Sequence, residues 1–144
     1  MVFIKMKLTN ILIAYGLLVT ISIISIITTL MKRKIMIGYG DLALKKFFSF
    51  KLWSLIFANK YMLLVLFLGF IMFILNAVIL SFTRVHSLLI FSWTMVIPVF
   101  LVTMYSSYKI LGEEITRAQY PFIGILIISM ILSFIGMYGY IKVS

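Results

Sequence analysis

The chain has 144 residues, 65% of them hydrophobic and only 11% charged. A soluble domain carries about a quarter charged residues, and its interior has no room for this much apolar surface, so the excess points to lipid. The net charge of +10 comes from 13 Lys and Arg against three acids; placed between apolar runs, it argues for anionic headgroups over nucleic acid, and with no cysteine and one histidine a disulfide framework, a thiolate site or a usual metal centre is excluded.

Residues 8–31 are free of charge and end in Lys32-Arg33-Lys34. The run is longer than the apolar part of a signal peptide and lacks a small-residue cleavage site, so it reads as a retained helix over 9–31 with a stop-transfer end. Thr9-Asn10 is the candidate N-cap. Tyr15, Ser22, Ser25 and Thr29 recur at spacings of 7, 3 and 4 and therefore share one face. The connection to Lys60 opens on Gly38-Tyr39-Gly40-Asp41 and then mixes Lys45, Lys46 and Lys51 with Phe47, Phe48, Phe50, Trp53 and Phe57. An interfacial segment over 41–59 is expected, lysines reaching to water and rings at headgroup level, with a short re-entrant helix as the alternative.

The second window predicts a helix over 61–83 with one amide, Asn76. The third predicts 86–109, with His86 beside Arg84 at its edge and Ser92, Trp93, Thr94, Thr103, Ser106 and Ser107 along it. Pro98 lies mid-way, deprives the Thr94 carbonyl of its donor and predicts a kink. The fourth, over 120–141, has Pro121 in its first turn, where a missing N–H matters little. Its Gly124, Ser129, Ser133, Gly136 and Gly139 are small enough for a helix or subunit interface.

Each window supplies the ~20 residues that cross a ~30 Å hydrocarbon core. Lipid offers no partner for an open backbone hydrogen bond, so the spans are helices; their continuous apolarity excludes a barrel. The expectation is an all-α membrane protein, one transmembrane domain over 1–144, with four transmembrane helices and an interfacial helix between the first and second. Lys5, Lys7, Arg84 and Lys142 fall on one side and the other nine Lys and Arg on the opposite side. The positive-inside rule then puts loops 32–60 and 109–119 in the cytoplasm of a multi-pass protein of the cytoplasmic membrane, with both termini outside.

No nucleophile, base and orienting group are spaced for catalysis, so an enzyme is not expected, nor any cofactor or metal. Asp41, Glu113 and Glu114 all fall in loops, which disfavours a proton-coupled exchanger built on a buried carboxylate. Tyr15, Ser22, Ser25, Asn76, Trp93, Thr94 and Pro98 are the candidates for a polar substrate path. The alternative for each is helix packing, with hydroxyls bonded to their own helix at ~0.6 kcal/mol apiece. Glu113, at the end of the third span, has Lys109 four residues before it as a candidate ion-pair partner.

The stretch SYKILGEEITRAQYPFIGILIISMILSFIG, from Ser107 to Gly136, resembles the end of the drug/metabolite transporter superfamily repeat. Leu111-Gly112-Glu113 and Gly124 carry the likeness, and helix number and order resemble the four-helix small multidrug resistance-like branch. The long basic, aromatic segment after the first helix looks most like the subunits that flip undecaprenyl-phosphate-linked aminoarabinose. Ile131 stands where that repeat has a second glycine, and the first helix lacks the glutamate of the proton-coupled exporters. The resemblance implies a small transporter subunit, working as a homo- or heterodimer in the bilayer, that flips a polyprenyl-phosphate-linked sugar or similar amphipathic lipid. Arg84, Lys60 and Lys109 would attract the phosphate at the rims. A non-catalytic accessory subunit of a larger membrane complex is the alternative, and small-cation multidrug export a third reading.

Overall fold

The computed structural model describes residues 8–39 and 48–143, and among them every regular element is helical. Lys5 and Lys7, and the part of the interfacial stretch that holds Asp41, Lys45 and Lys46, lie outside the described residues. The long helices are α1 (Leu8–Ile37), α3 (Lys60–Phe82), α4 (Val85–Leu111) and α5 (Tyr120–Val143), and each is long and apolar enough to cross a membrane. Even the shortest, α3 with 23 residues, extends about 35 Å at 1.5 Å per residue. The short α2 (Phe50–Ala58) lies between the first and second spans. It buries Ile56 against α3 and stacks Trp53 on Phe57 at 5.9 Å, while Phe50 and Phe57 stay exposed.

The first span departs most from its expected form, while the others shift by two residues at most. α1 runs through Lys32-Arg33-Lys34 to Ile37 instead of ending at Met31. Charge ends a span but not a helix: Lys and Arg are good helix formers, and cations are favoured near a helix C-terminus. Thr9 and Asn10 lie on helical backbone inside α1, so neither has the extended conformation of a cap. The observed caps are elsewhere. Asn59 accepts from the Tyr61 N–H at 2.9 Å to start α3. Thr116 and Gln119 form a reciprocal capping box around the 3₁₀ turn Arg117–Gln119, which leads into α5. α4 continues through Pro98. It ends at Gly112, whose φ of 69° is the left-handed conformation that glycine adopts at little cost.

α1 is central. It lies along both α3 and α4, whereas α3 and α4 touch each other far less, and α5 packs chiefly on α4. The order across the membrane is therefore α3, α1, α4, α5, an open row and not a closed bundle. α3 and α4 are joined by Thr83 and Arg84 alone, so they are held together at that end and diverge from it. The core sits in the closed corner: Ala14 and Leu18 of α1, Ile79 of α3 and Phe91 of α4. Ser87 and Tyr140, 3.1 Å apart, tie α5 to the same end.

Buried aromatics in such a corner carry the packing. Phe91 is 1% exposed and Phe122, on α5, is 67% exposed. Phe91→Ala is expected to destabilise the chain by about 3 kcal/mol, whereas Phe122→Ala exchanges one lipid contact for another and changes little. Detergent-titrated unfolding of the two variants checks the contrast, which fails if they lose stability alike.

Candidate functional site: a lateral groove with a paired arginine at its mouth

The gap between α3 and α4 is floored by α1, and these three helices line a hollow of about 420 Å³. On α4 the lining residues are Ser92, Met95, Val96, Val99, Phe100 and Thr103. Their spacing of 3, 1, 3, 1 and 3 marks one face of a helix. α1 contributes Leu18, Ile21, Ser22 and Ser25 at the same period, and α3 contributes Asn76. Most of the polar groups satisfy themselves. Ser22 donates to the Leu18 carbonyl at 2.8 Å, Asn76 to Met72 at 2.9 Å and Thr103 to Val99 at 2.6 Å. The hydroxyls of Ser25 and Ser92 donate no such bond among the described residues. The groove is thus amphipathic, an apolar trough with hydroxyls and one amide along it.

Ser22, Ser25 and Asn76 were expected on the path, and the fold brings them together. Tyr15, Trp93, Thr94 and Pro98 lie elsewhere. Tyr15 shares the α1 stripe but sits a turn nearer the closed corner, where Phe91 covers it edge-on at 6.3 Å between ring centres. Its hydroxyl is buried without a partner. Trp93 is 70% exposed; one residue beyond Ser92 is 100° around the helix, away from the groove. Thr94 faces the far side, buried, with its hydroxyl on the Phe91 carbonyl at 2.7 Å and near Met137 Sδ of α5 at 3.7 Å. Pro98 is half-buried but lies off the groove face.

The groove continues toward the basic end of the row. Phe100 and Thr103 also border a second hollow of about 350 Å³, lined further by Met104, Ser107, Glu113, Glu114 and Gln119. At this mouth Arg33 Nε donates to Glu113 Oε1 at 2.8 Å, and the Ser107 hydroxyl donates to Glu113 Oε2. The expected pairing with Lys109 is replaced. Gly112 turns the chain out of α4 before Glu113, so the i−4 geometry is lost, and Lys109 Nζ instead lies 5.6 Å from the centre of the Tyr108 ring. The contact also places the end of α1 and the α4–α5 turn at the same end of the row. Arg33 and Ser107 were missed as site residues: Arg33 is 80 residues from Glu113, and Ser107, six residues before it, is separated from it by the Gly112 turn, so no helical period links them. Gly124 meets nothing within 4 Å of where a Cβ would stand, so among the described residues it serves no close helix approach. Gly112 acts as the turn that aims Glu113.

No family model, curated protein or solved structure matches this chain.

Two outcomes follow. A buried hydroxyl left unbonded is unfavourable by about 1–3 kcal/mol, so Tyr15→Phe is expected to leave unfolding stability equal or raised; a marked loss would mean that the phenol has a partner in the membrane. The Ser107 hydroxyl and the Arg33 guanidinium hold the Glu113 carboxyl below its ordinary value of 4.5. A depressed folded value makes the contact fully effective above the ordinary value, and it is lost as pH falls through the folded one. Spin labels at Ile37→Cys and Thr116→Cys are expected to keep one separation from about pH 8 to about pH 5 and to part only in stronger acid. Glu113→Gln should remove that acid transition, and an opening near neutral pH would contradict the assignment.

Proposed function

We propose that the chain is a small membrane transporter subunit that moves an amphipathic substrate across the bilayer, with the groove between α3 and α4 as its path. The observation that carries this reading is the groove itself. It is open-sided, runs from the middle of the helices to the basic mouth, and lines an apolar trough with hydroxyls from Ser22, Ser25, Ser92 and Thr103 and the amide of Asn76. A tail stays in lipid while a polar head moves along those groups. A polyprenyl-phosphate-linked sugar is the substrate that the resemblance to the small flippase subunits suggests, and the basic mouth suits its phosphate. The excess of Lys and Arg at that end supports a cytoplasmic mouth in a cytoplasmic membrane. One chain forms only an open row, so a second subunit, identical or related, would complete the path.

A non-transporting accessory subunit is the second reading, favoured by two observations. Among the described residues the acids Glu113 and Glu114 lie outside the spans, and the Ser22, Asn76 and Thr103 side chains bond within their own helices, as packing residues do.

The absence of cysteine makes a direct test available. Single cysteines at Ser25, Asn76 and Thr103 are expected to react with a water-soluble thiol reagent about tenfold faster than one at Trp93, because the thiolate forms only where water reaches. A fluorescent polyprenyl-phosphate-linked sugar in the vesicles is expected to slow the first three. Equal, slow reaction at all four positions, in vesicles where the lipid does not translocate, would leave the accessory reading.

A further inference from the structure

The mouth of the groove has a feature that translocation alone does not call for. Arg33 meets Glu113 through Nε only. A guanidinium has five N–H donors in a planar fork, so the Nη edge is open to a further acceptor, on a side chain that is 58% exposed. Ser107 fixes the other carboxylate oxygen of Glu113. The result is a chain of contacts from α4 through the turn to α1 that holds a long, flexible cation in one place. Lys32, Lys34, Lys60, Lys109 and Arg117 stand at the same end, against Glu113 and Glu114, so the local field favours an anion. Lys60 and Lys109 lie 5.3 and 5.6 Å from the ring centres of Tyr61 and Tyr108, and among the described residues Arg33 is the cation ion-paired to a residue that lines the hollow, Glu113.

We infer that Arg33 binds a phosphate at the mouth of the groove, aimed by Glu113 as a positioning residue, and that this phosphate is carried on a lipid whose chain lies in the groove. Planar bidentate recognition suits a phosphate oxygen pair better than an ammonium does, and the Lys and Arg at this end outnumber the two neighbouring carboxylates, Glu113 and Glu114. Phosphate alone would use the mouth, but the hollow continues past Phe100 and Thr103 into the trough lined by Leu18, Ile21 and Val99, whose apolar lining suits an alkyl chain. The inference rests on the groove reading for its lipid half and on the Arg33 contact for its phosphate half.

Other features carry less. The hollow beside Lys34 and Asn59 faces a helix start whose Tyr61, Met62 and Leu63 N–H groups are already bonded to Asn59.

The test uses the full chain in neutral maltoside micelles, with dodecyl phosphate and, separately, inorganic phosphate as probes, read by native mass spectrometry and calorimetry. Arg33→Gln is expected to weaken dodecyl phosphate by about tenfold, and Arg33→Lys by less, since it keeps the charge and loses the fork. Lys142→Gln, at the opposite end, should bind as the parent chain does. Glu113→Ala should weaken binding and Glu113→Gln should restore it, because the amide oxygen still accepts from Nε; a carboxylate that merely repelled the ligand would give tighter binding in both. Arg33→Gln binding within about twofold of the parent, or an equal loss in Lys142→Gln, overturns the phosphate site. Octyl and hexadecyl phosphate separate the two halves. If Arg33→Gln abolishes binding while chain length makes no difference and inorganic phosphate binds equally well, the lipid half falls and with it the groove as the path. If chain length matters and Arg33 does not, the groove survives and the phosphate site falls. A parent chain that binds neither probe ends both.

Discussion

Two residues, Thr83 and Arg84, connect α3 to α4, and this short link decides where polar groups gather. Thr83 is buried, its N–H and its hydroxyl both returned to the Ile79 carbonyl at 3.0 and 2.6 Å, so its own polar groups are satisfied without water. Helices tied so closely at one end must part at the other unless packing draws them together. In water the hydrophobic effect would do so. In hydrocarbon it does not operate between helices, since lipid tails are as apolar as the side chains they would replace. The gap therefore stays open, α1 becomes its floor, and the core is confined to the corner where Ala14, Leu18, Ile79 and Phe91 meet.

The chemistry of the groove follows from the same solvent. A polar side chain left unbonded in hydrocarbon is costly, and the structure keeps that cost low by bonding Ser22, Asn76 and Thr103 to their own helices. A groove lined this way holds no group that must be neutralised when it is empty. Its hydroxyl and amide oxygens are weak acceptors spread along the trough instead of one deep well. Strong charge is kept for the mouth, where water lowers its cost and where Glu113 and Arg33 satisfy each other. The gradient from apolar corner through hydroxyl-lined trough to ion-paired mouth is the property that separates this arrangement from four helices merely packed side by side.

The spans were legible in the sequence because lipid imposes one rule on every residue of a crossing: long charge-free runs can be nothing but helices. Their ends were less so. The apolar run stops at Met31, but α1 goes on to Ile37, because the property that was read, polarity, reports on the membrane and not on the backbone. Half of the groove was legible for a related reason. Ser22 and Ser25 share a helical stripe, and Asn76 is the lone amide of its span, so chemistry and phase agreed. Trp93 was chosen on chemistry alone; its phase on α4, one step from Ser92, points it to lipid. The pairing of Arg33 with Glu113 had no local signature at all, since it depends on where α1 overshoots and on how Gly112 redirects the chain. Sequence proximity favoured Lys109, and the turn removed it.

α5 sets a condition on any partner. None of its residues is buried, and a Cβ at Gly124, Gly136 or Gly139 would meet nothing within 4 Å. It joins α4 on the Thr94 side, through Met137 and Tyr140, opposite the face that carries Ser92, Val96 and Thr103. A subunit that seats on α5 therefore leaves the groove free and can place a second wall near it without entering it. A subunit that seats between α3 and α4 fills the groove and ends any passage there. The two faces cannot both serve transport, so the position of the partner, more than its identity, separates a transporter from a packing subunit.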